Sequence, residues 1–270
     1  CWDNDLEIKL GKSNIEIGKY ALISLEKTTE ALKKNDIDVV VTAPINKHSI
    51  KQNEKKFIGH TEYFEQNFDG KSLMMMISDN MKIAFVTSHV ALSEVSNLIS
   101  QEKIEKVLKS MNKTLIEDFG ILRPKIAVMG LNPHAGEEGM LGKEEENIII
   151  PAIQMSNDKD NILAFGPFAA DSFFTSKNLG RFDAILSMYH DQGLTPFKTL
   201  SFSEGVNYTS GLKIIRTSPV HGTAYDIAGK SIADEQSFRE SVYLACDILK
   251  KRESYYKLKN GALNIKKSED

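Results

Sequence analysis

The sequence predicts an α/β protein, a sheet with helices packed over it, and three observations lead there. Short apolar, β-branched runs recur along the 270 residues, stretches with helical periodicity separate several of them, and turn-forming residues punctuate the transitions. The first long segment places Ile15, Leu22, Leu25 and Leu32 on one helical face and runs into IDVVVTAP (37–44), a β-branched run that reads as a buried strand. LMMMI (73–77) and IAFVT (83–87) are the next strands. A helix after Ser100 follows, with Ile104, Val107, Leu108, Met111 and Leu115 at helical spacing and Gly120 as its C-terminal cap. KIAVMG (125–130), NILAF (161–165), FDAILSM (182–188) and LKIIRT (212–217) complete the strand set. No internal repeat, low-complexity tract or Pro- or Ser-rich linker interrupts the pattern, so a domain boundary must be a hinge within continuous structure.

Composition narrows the function. With 41% apolar and 26% charged residues the chain can bury a sizeable core, as a soluble globular protein does. A formal net charge of -3 gives no basic footprint, so no nucleic-acid partner is expected. Only Cys1 and Cys246 are present, at neither a metal-type nor a disulfide-scaffold spacing, and a reducing cytoplasm is the expected location. No apolar run is long enough to span a bilayer, and the first ten residues lack the order of a signal peptide, so no membrane association is expected. The chain opens at Cys1, and its first helix arrives without a preceding strand, so a strand is expected to be missing upstream.

Three of the six histidines follow apolar strands: IAFVTSH ends in His89, IAVMGLNPH in His134 and AILSMYH in His190. Beyond the carboxyl ends of strands in an open α/β sheet lies the crevice where ligands bind, so imidazoles far apart in sequence can converge there. Neutral imidazole is the commonest side-chain metal ligand, and a three-histidine site leaves positions open for substrate or water. Taken singly, a strand-end histidine is more often a hydrogen-bonding loop residue. In LNPHAGEEGMLGKEE, Pro133 and the surrounding glycines make a backbone-permissive loop. Asp191, beside His190, is a metal ligand, an acid/base group or an exposed turn residue. The candidates for anionic substrate groups are GHTE (59–62), Lys198, Asn207 and Arg216, where a lone cation is otherwise a surface charge and His60 with Thr61 otherwise caps a helix. No G-x-G-x-x-G follows a strand, so an ordinary dinucleotide fingerprint is absent. HGTAYDIAGK (221–230) offers instead small residues for close backbone approach and Asp226 for ribose hydroxyls, or else a plain turn entering a helix.

The motifs VTAPINK, GHTE, TSHVAL, NPHAGEEGMLGKEE, GPFAADSFF, YHDQGLTPFK, VNYTSGLKIIRTS and HGTAYDIAGK, in this order, resemble the 4-hydroxythreonine-4-phosphate dehydrogenase family of pyridoxine 5'-phosphate (vitamin B6) biosynthesis across nearly the whole chain. The resemblance implies two α/β/α domains with a cleft between them, as in the isocitrate and isopropylmalate dehydrogenases. The first would take residues 1–58 and 215–270, the second 59–214. It implies His89, His134 and His190 as ligands of a divalent metal (zinc, magnesium or cobalt). His60, Thr61, Lys198, Asn207 and Arg216 would contact a phosphorylated substrate, and Gly222, Thr223 and Asp226 would contact NAD or NADP. Asp191 and Lys198 are the implied catalytic residues, with Asp191 or a metal-bound water as proton acceptor, in a site shared across a homodimer interface. One departure stands out: the family opens with a strand and a GDPxGIGPE motif that this chain lacks. The implied chemistry is oxidation of 4-phosphohydroxy-L-threonine to a 2-amino-3-oxo acid that loses carbon dioxide to give 3-amino-2-oxopropyl phosphate. The rivals are oxidation of 4-phosphothreonate or 4-phosphoerythronate, metal-dependent hydrolysis, and a non-catalytic metal- or phosphate-binding module.

Overall fold

The computed structural model of this chain describes residues 9–51, 54 and 57–261. Residues 1–8 and 262–270, which include Cys1 and both ends of the first expected domain, lie outside them. Helix α1 (Ile15–Lys34) begins where the Asn14 side chain accepts the Glu16 N–H at 2.8 Å and ends where Asn35 turns left-handed, φ 59°. Leu25 and Leu32 of its expected face are buried, whereas Ile15 in the first turn is exposed. In chain order there follow β1 (Val39–Val41), α2 (Lys47–Lys51), α3 (His60–Asn67), β2 (Gly70–Ile77), β3 (Lys82–Phe85), α4 (Val95–Leu98), α5 (Gln101–Glu117), β4 (Lys125–Met129), α6 (Ile150–Asp160), β5 (Leu163–Phe168), α7 (Ala170–Phe173), α8 (Ser176–Leu179), β6 (Ala184–Ser187), α9 (His190–Ser201), β7 (Val206–Leu212), β8 (Ile215–Pro219) and α10 (Gln236–Asn260).

Helix α5 forms for the expected reasons. Ser100 Oγ accepts the Lys103 N–H at 3.3 Å, and Ile104, Leu108, Met111 and Leu115 are fully buried. Each such burial is worth roughly 1.5–3 kcal/mol. Gly120, at φ 70°, turns the chain so that its own N–H reaches the Ile116 carbonyl at 3.2 Å and that of Ile121 reaches Leu115 at 3.0 Å. Two strands differ from expectation. VNYTSGL forms β7, although its polar residues hide the alternation, and the last expected strand lies at 215–219 rather than 212–217.

All eight strands join one mixed sheet in the order β1-β8-β7-β2-β3-β6-β4-β5. β3, β6, β4 and β5 are mutually parallel, β1 and β8 form a second parallel pair, and antiparallel β7 and β2 connect the two blocks. The β7–β8 ladder makes the sheet continuous across position 214/215. Side chains alternate between faces. On one face Met75, Ala84, Val128, Leu186 and Tyr208 pack with residues of α5 and α10. On the other, Met76, Ile83, Phe85 and Ile185 pack with Phe173 of α7 and Phe197 of α9, while Val40 packs with Leu25 and Leu32 of α1, Ile50 of α2 and Phe64 of α3. This second face therefore carries two separate helical groups, α1–α3 and α7–α9. The result is a three-layer α/β/α arrangement with a gap in one helical layer.

Candidate metal and anion site

Because β3, β6 and β4 are adjacent and parallel, the chain leaves all three toward one edge of the sheet. That edge is cross-tied. Thr87 Oγ1 donates to the Met188 carbonyl at 2.8 Å, joining the ends of β3 and β6. The Gln192 side chain accepts the Met188 N–H at 2.7 Å and donates to the Gly130 carbonyl at 2.6 Å, joining β6 to β4. His89, His134 and His190 stand just beyond these ties. The structure brings His89 and His190 together, with ring centroids 5.8 Å apart, and His190 stacks on Phe85 at 5.8 Å and 28°. Burial, then the charges of Lys47 and His190, push the His89 pKa down, so its neutral, metal-ligating form is favoured. Asp191 Oδ1 lies 2.6 Å from His190 Nδ1; with the N–H on that nitrogen, Nε2 is left free to ligate. Among the described residues no three His, Cys, Asp or Glu side chains of one chain converge closely enough to hold an ion, so His134 does not complete a trio within the single chain.

His134 sits in an unusual loop. Six consecutive residues have positive φ: His134 52°, Ala135 52°, Gly136 84°, Glu137 43°, Glu138 52° and Gly139 83°. Left-handed backbone costs roughly 1–2 kcal/mol for each of the four non-glycine residues, so the surroundings must hold the loop in shape. The Glu145 carboxylate, itself 2% exposed, supplies much of that hold. Its Oε1 accepts the N–H groups of Leu131 and Asn132, both at 2.7 Å, and its Oε2 accepts Asn132 Nδ2 at 2.9 Å.

The candidate anion-binding residues lie on the sheet face that carries the two helical groups. Arg216 on β8 pairs with Val40 and Thr209, and Asn207 on β7 pairs with Met76, which puts both on the face that carries α1–α3 and α7–α9. Arg216 is 4% exposed. It donates through Nε and Nη2 to Thr42 Oγ1 at 3.0 and 2.7 Å and through Nη1 to Thr209 Oγ1 at 3.0 Å. No carboxylate among the described residues pairs with it, and burial lowers its pKa to about 10, with the Glu62 charge opposing that shift. Asn207 Oδ1 is buried without a hydrogen-bond partner among the described residues, which points to a missing polar partner. His60 opens α3, and burial, followed by the charges of Arg216 and Lys47, lowers its pKa to about 3, so this ring is neutral at ordinary pH. Thr61 follows it in the first turn, and Lys198 is half-buried on α9.

The segment 221–230 forms irregular turns rather than entering a helix directly, since α10 starts only at Gln236. With Asn14, Gly18, Ile45 and Asn46 it encloses a cavity of about 660 Å³. Gly222 and Thr223 line that cavity, and Asp226 is exposed outside its lining. Among the described residues no Lys or Arg lines it.

Against this geometry the comparisons with known proteins are specific. Residues 2–245 match the family described as "Pyridoxal phosphate biosynthetic protein PdxA". The chain belongs to that family. It is 49% identical over 255 residues to the 4-hydroxythreonine-4-phosphate dehydrogenase of Bacteroides thetaiotaomicron, an alignment covering 94% of this chain and 70% of that one. It is 42% identical over 249 residues to the enzyme of that name from Sulfurihydrogenibium sp., covering 92% and 76%. Among solved structures, the 4-hydroxythreonine-4-phosphate dehydrogenase of Klebsiella pneumoniae superposes with a TM-score of 0.79 at 34% identity, covering 90% of this chain and 73% of that one. No helix of the described residues is long and apolar enough to cross a membrane.

Residue-by-residue reading of the sequence missed five members of this site: Thr42, Lys47, Thr87, Gln192 and Glu145. Lys47 makes no hydrogen bond or ion pair among the described residues, yet its Nζ lies 3.2 Å from where a Cβ on Gly59 would stand, and its charge acts on both His60 and His89. Each of the five falls inside a motif that pointed to the family, in VTAPINK, TSHVAL, YHDQ or NPHAGEEGMLGKEE. The signal was present, but not as a recognisable donor spacing.

Proposed function

We propose that this chain is a metal-dependent, NAD-linked dehydrogenase that oxidises 4-phosphohydroxy-L-threonine to 2-amino-3-oxo-4-phosphonooxybutanoate, which decarboxylates to 3-amino-2-oxopropyl phosphate for pyridoxine 5'-phosphate synthesis in the cytoplasm. One juxtaposition carries the reading. Among the described residues Arg216 is buried with no carboxylate partner and Asn207 Oδ1 is orphaned, both on the face that carries the two helical groups, the Lys47 charge acts on His60 and His89, and His89 and His190 adjoin at the strand-end edge. A protein that buries a lone guanidinium and an unsatisfied carbonyl oxygen is arranged for an anionic, hydrogen-bonding ligand.

The donor set suits a divalent cation in chemical type, since both adjoining imidazoles can present a neutral nitrogen. A single chain brings only two of the three histidines together, which fits a site completed across a homodimer interface with His134 as the third ligand. Exposed Val90 and Leu92 beside His89, and Met140 and Leu141 in the His134 loop, support such an interface. A bound metal would supply Lewis acidity to the hydroxyl being oxidised, and a bound nicotinamide would accept hydride.

The chain's own groups do the rest. Arg216, Lys47 and Lys198 neutralise the phosphate and carboxylate, and His60, held neutral, offers a hydrogen bond without adding charge. Thr42 and Thr209 fix the guanidinium plane, so its two remaining N–H groups are already aimed when the anion arrives. Asp191 holds the His190 ring through Oδ1 and keeps Oδ2 as a proton-accepting atom. Gly222 and Thr223 allow close approach of the adenosine half of NAD or NADP in the 660 Å³ cavity. The domain division at 58/59 and 214/215 belongs to this reading too, with the shared sheet as the hinge.

The test supplies NAD, a divalent metal and 4-phosphohydroxy-L-threonine and follows the reduced-nicotinamide absorbance band, with 4-phosphoerythronate in parallel. Turnover of the amino acid substrate is expected. Silence with both substrates would refute the dehydrogenase reading, and preference for the hydroxy acid would move the specificity to the rival substrate class.

A further inference from the structure

We infer that Glu145 is the positioning residue for the His134 loop: its buried carboxylate is the template on which the six-residue left-handed turn is formed, and so sets where His134 presents its imidazole. The inference rests on the reading of His134 as a metal ligand.

The carboxylate bridges the two ends of the loop. Glu145 begins a π-helical turn (Glu145–Ile149) that leads into α6, and it reaches back to the residues immediately after β4, gathering the Leu131 and Asn132 N–H groups on Oε1 and the Asn132 side chain on Oε2. π-Turns are rare and recur at functional sites, where they re-aim a side chain. The surrounding backbone leaves room for this one group. A Cβ on Gly136 would stand 2.7 Å from Oε2, and one on Gly130 would stand 3.1 Å from Oε1. The neighbouring Glu144 fixes the remaining degree of freedom, since its Oε2 accepts Asn132 Nδ2 at 2.8 Å and its Oε1 accepts Ser96 Oγ at 2.9 Å. Asn132 is thereby held with its amino group toward both carboxylates.

This arrangement makes a glutamine at position 145 a mismatch. Its carbonyl oxygen could still take the two backbone N–H groups, but its amino group would then meet the Asn132 amino group. Turning Asn132 over would set its carbonyl oxygen against Glu144. Every solution leaves one clash or one orphan, so the loop must shift, and the imidazole shifts with it. A carboxylate that only filled space would tolerate the isosteric amide.

The test measures Co2+ binding to the purified protein by titration calorimetry and by the visible ligand-field band, alongside circular dichroism and thermal melting. Glu145→Gln is expected to stay folded but to bind Co2+ about 10–100-fold more weakly with an altered band, as when groups that orient metal ligands are lost. Asn132→Ala, which removes the side-chain bonds to Oε2 of Glu145 and of Glu144 but leaves both N–H bonds on Glu145 Oε1, is expected to show a smaller loss in the same direction, and it decides the matter if Glu145→Gln does not fold. His134→Ala is the reference for loss of the ligand itself. Wild-type affinity and band in both the Glu145 and Asn132 variants, with a loss in His134→Ala, would overturn the positioning role and leave the proposed function standing. Wild-type affinity in His134→Ala would remove the metal-ligand reading and this inference with it.

Discussion

Replacing Arg216 by methionine should cripple catalysis and yet leave the unliganded protein about as stable as before. The guanidinium is 4% exposed and meets three hydroxyl contacts but no carboxylate, and its proton affinity falls from an ordinary 12.5 to about 10. At about 1.4 kcal/mol per tenfold change, holding the charge there costs about 3 kcal/mol, the upper limit of what methionine could recover. Methionine fills a similar volume, but Thr42 and Thr209 lose their donor, at about 0.5–1.5 kcal/mol for each lost bond. Three such bonds come to about 1.5–4.5 kcal/mol, so the two effects nearly cancel and the melting temperature should stay within about 6 °C of the wild type. Differential scanning calorimetry without ligand reads the first effect. Steady-state kinetics reads the second, an expected loss of at least about 100-fold in kcat/KM, the scale of a charged hydrogen bond left unmade. A melting temperature lower than that of the wild type by more than about 6 °C would refute the reasoning, because it would mean that the buried charge is already satisfied by the protein.

Lys47→Ala should raise KM about 10–100-fold with little change in melting temperature, since its ammonium binds nothing else among the described residues; an unchanged KM removes it from the site. Asp191→Ala should weaken metal binding about 10–100-fold by calorimetry, through loss of the contact that orients His190; undiminished affinity would exclude the orienting role. Tyr208→Phe removes a buried hydroxyl that donates to Asp118 at 2.6 Å and accepts from Arg252 at 3.0 Å. Because Tyr208 lies on the face opposite Arg216 and Asn207, the change should cost about 1–3 kcal/mol in urea unfolding while leaving kcat/KM intact. His60 binds a proton far less readily in the folded chain than in the unfolded one, so protonation of the unfolded state pulls stability down as pH falls below about 6.5 toward about 3. Between pH 6.5 and 5, above most carboxylate titration, the slope of unfolding free energy with pH should flatten in His60→Gln, and an identical slope would show that the ring titrates normally.

What the sequence discloses of this fold depends on where function intrudes. The strands of the parallel block carry apolar residues on both faces, because helices cover them on each side, and each was legible as a short apolar run. β7 was not, and the reason is chemical. Along Val206–Leu212 one face carries Val206 and Tyr208 into the core, while the other carries Asn207 and Thr209, the latter bonded to the Arg216 guanidinium. Ser210 spends its hydroxyl on the Leu73 carbonyl at 3.2 Å. A central strand that is half polar looks like a loop to any hydropathy pattern, and its position next to β2 and β8 emerges only when the ladder is seen. The displaced start of β8 has the same origin, since residues 212–214 are divided between the end of β7 and the turn that follows it.

The site was legible in a different way, through the order of the strand ends. Three histidines in separate motifs suggest convergence, but only the sheet order makes His89 and His190 neighbours, by placing β3 beside β6. The same order places β4 on the far side of β6, so that His134 follows a strand two positions from β3. An extended continuation of β4 would carry its chain away from the other two histidines. The left-handed run from His134 to Gly139 curls the chain at the strand end instead, and Glu145 pins the residues just before that run. The loop conformation is therefore the costly part of the site, and no donor spacing in the sequence could reveal it, because its determinants are a carboxylate eleven residues downstream of His134 and glycines chosen for the room they leave.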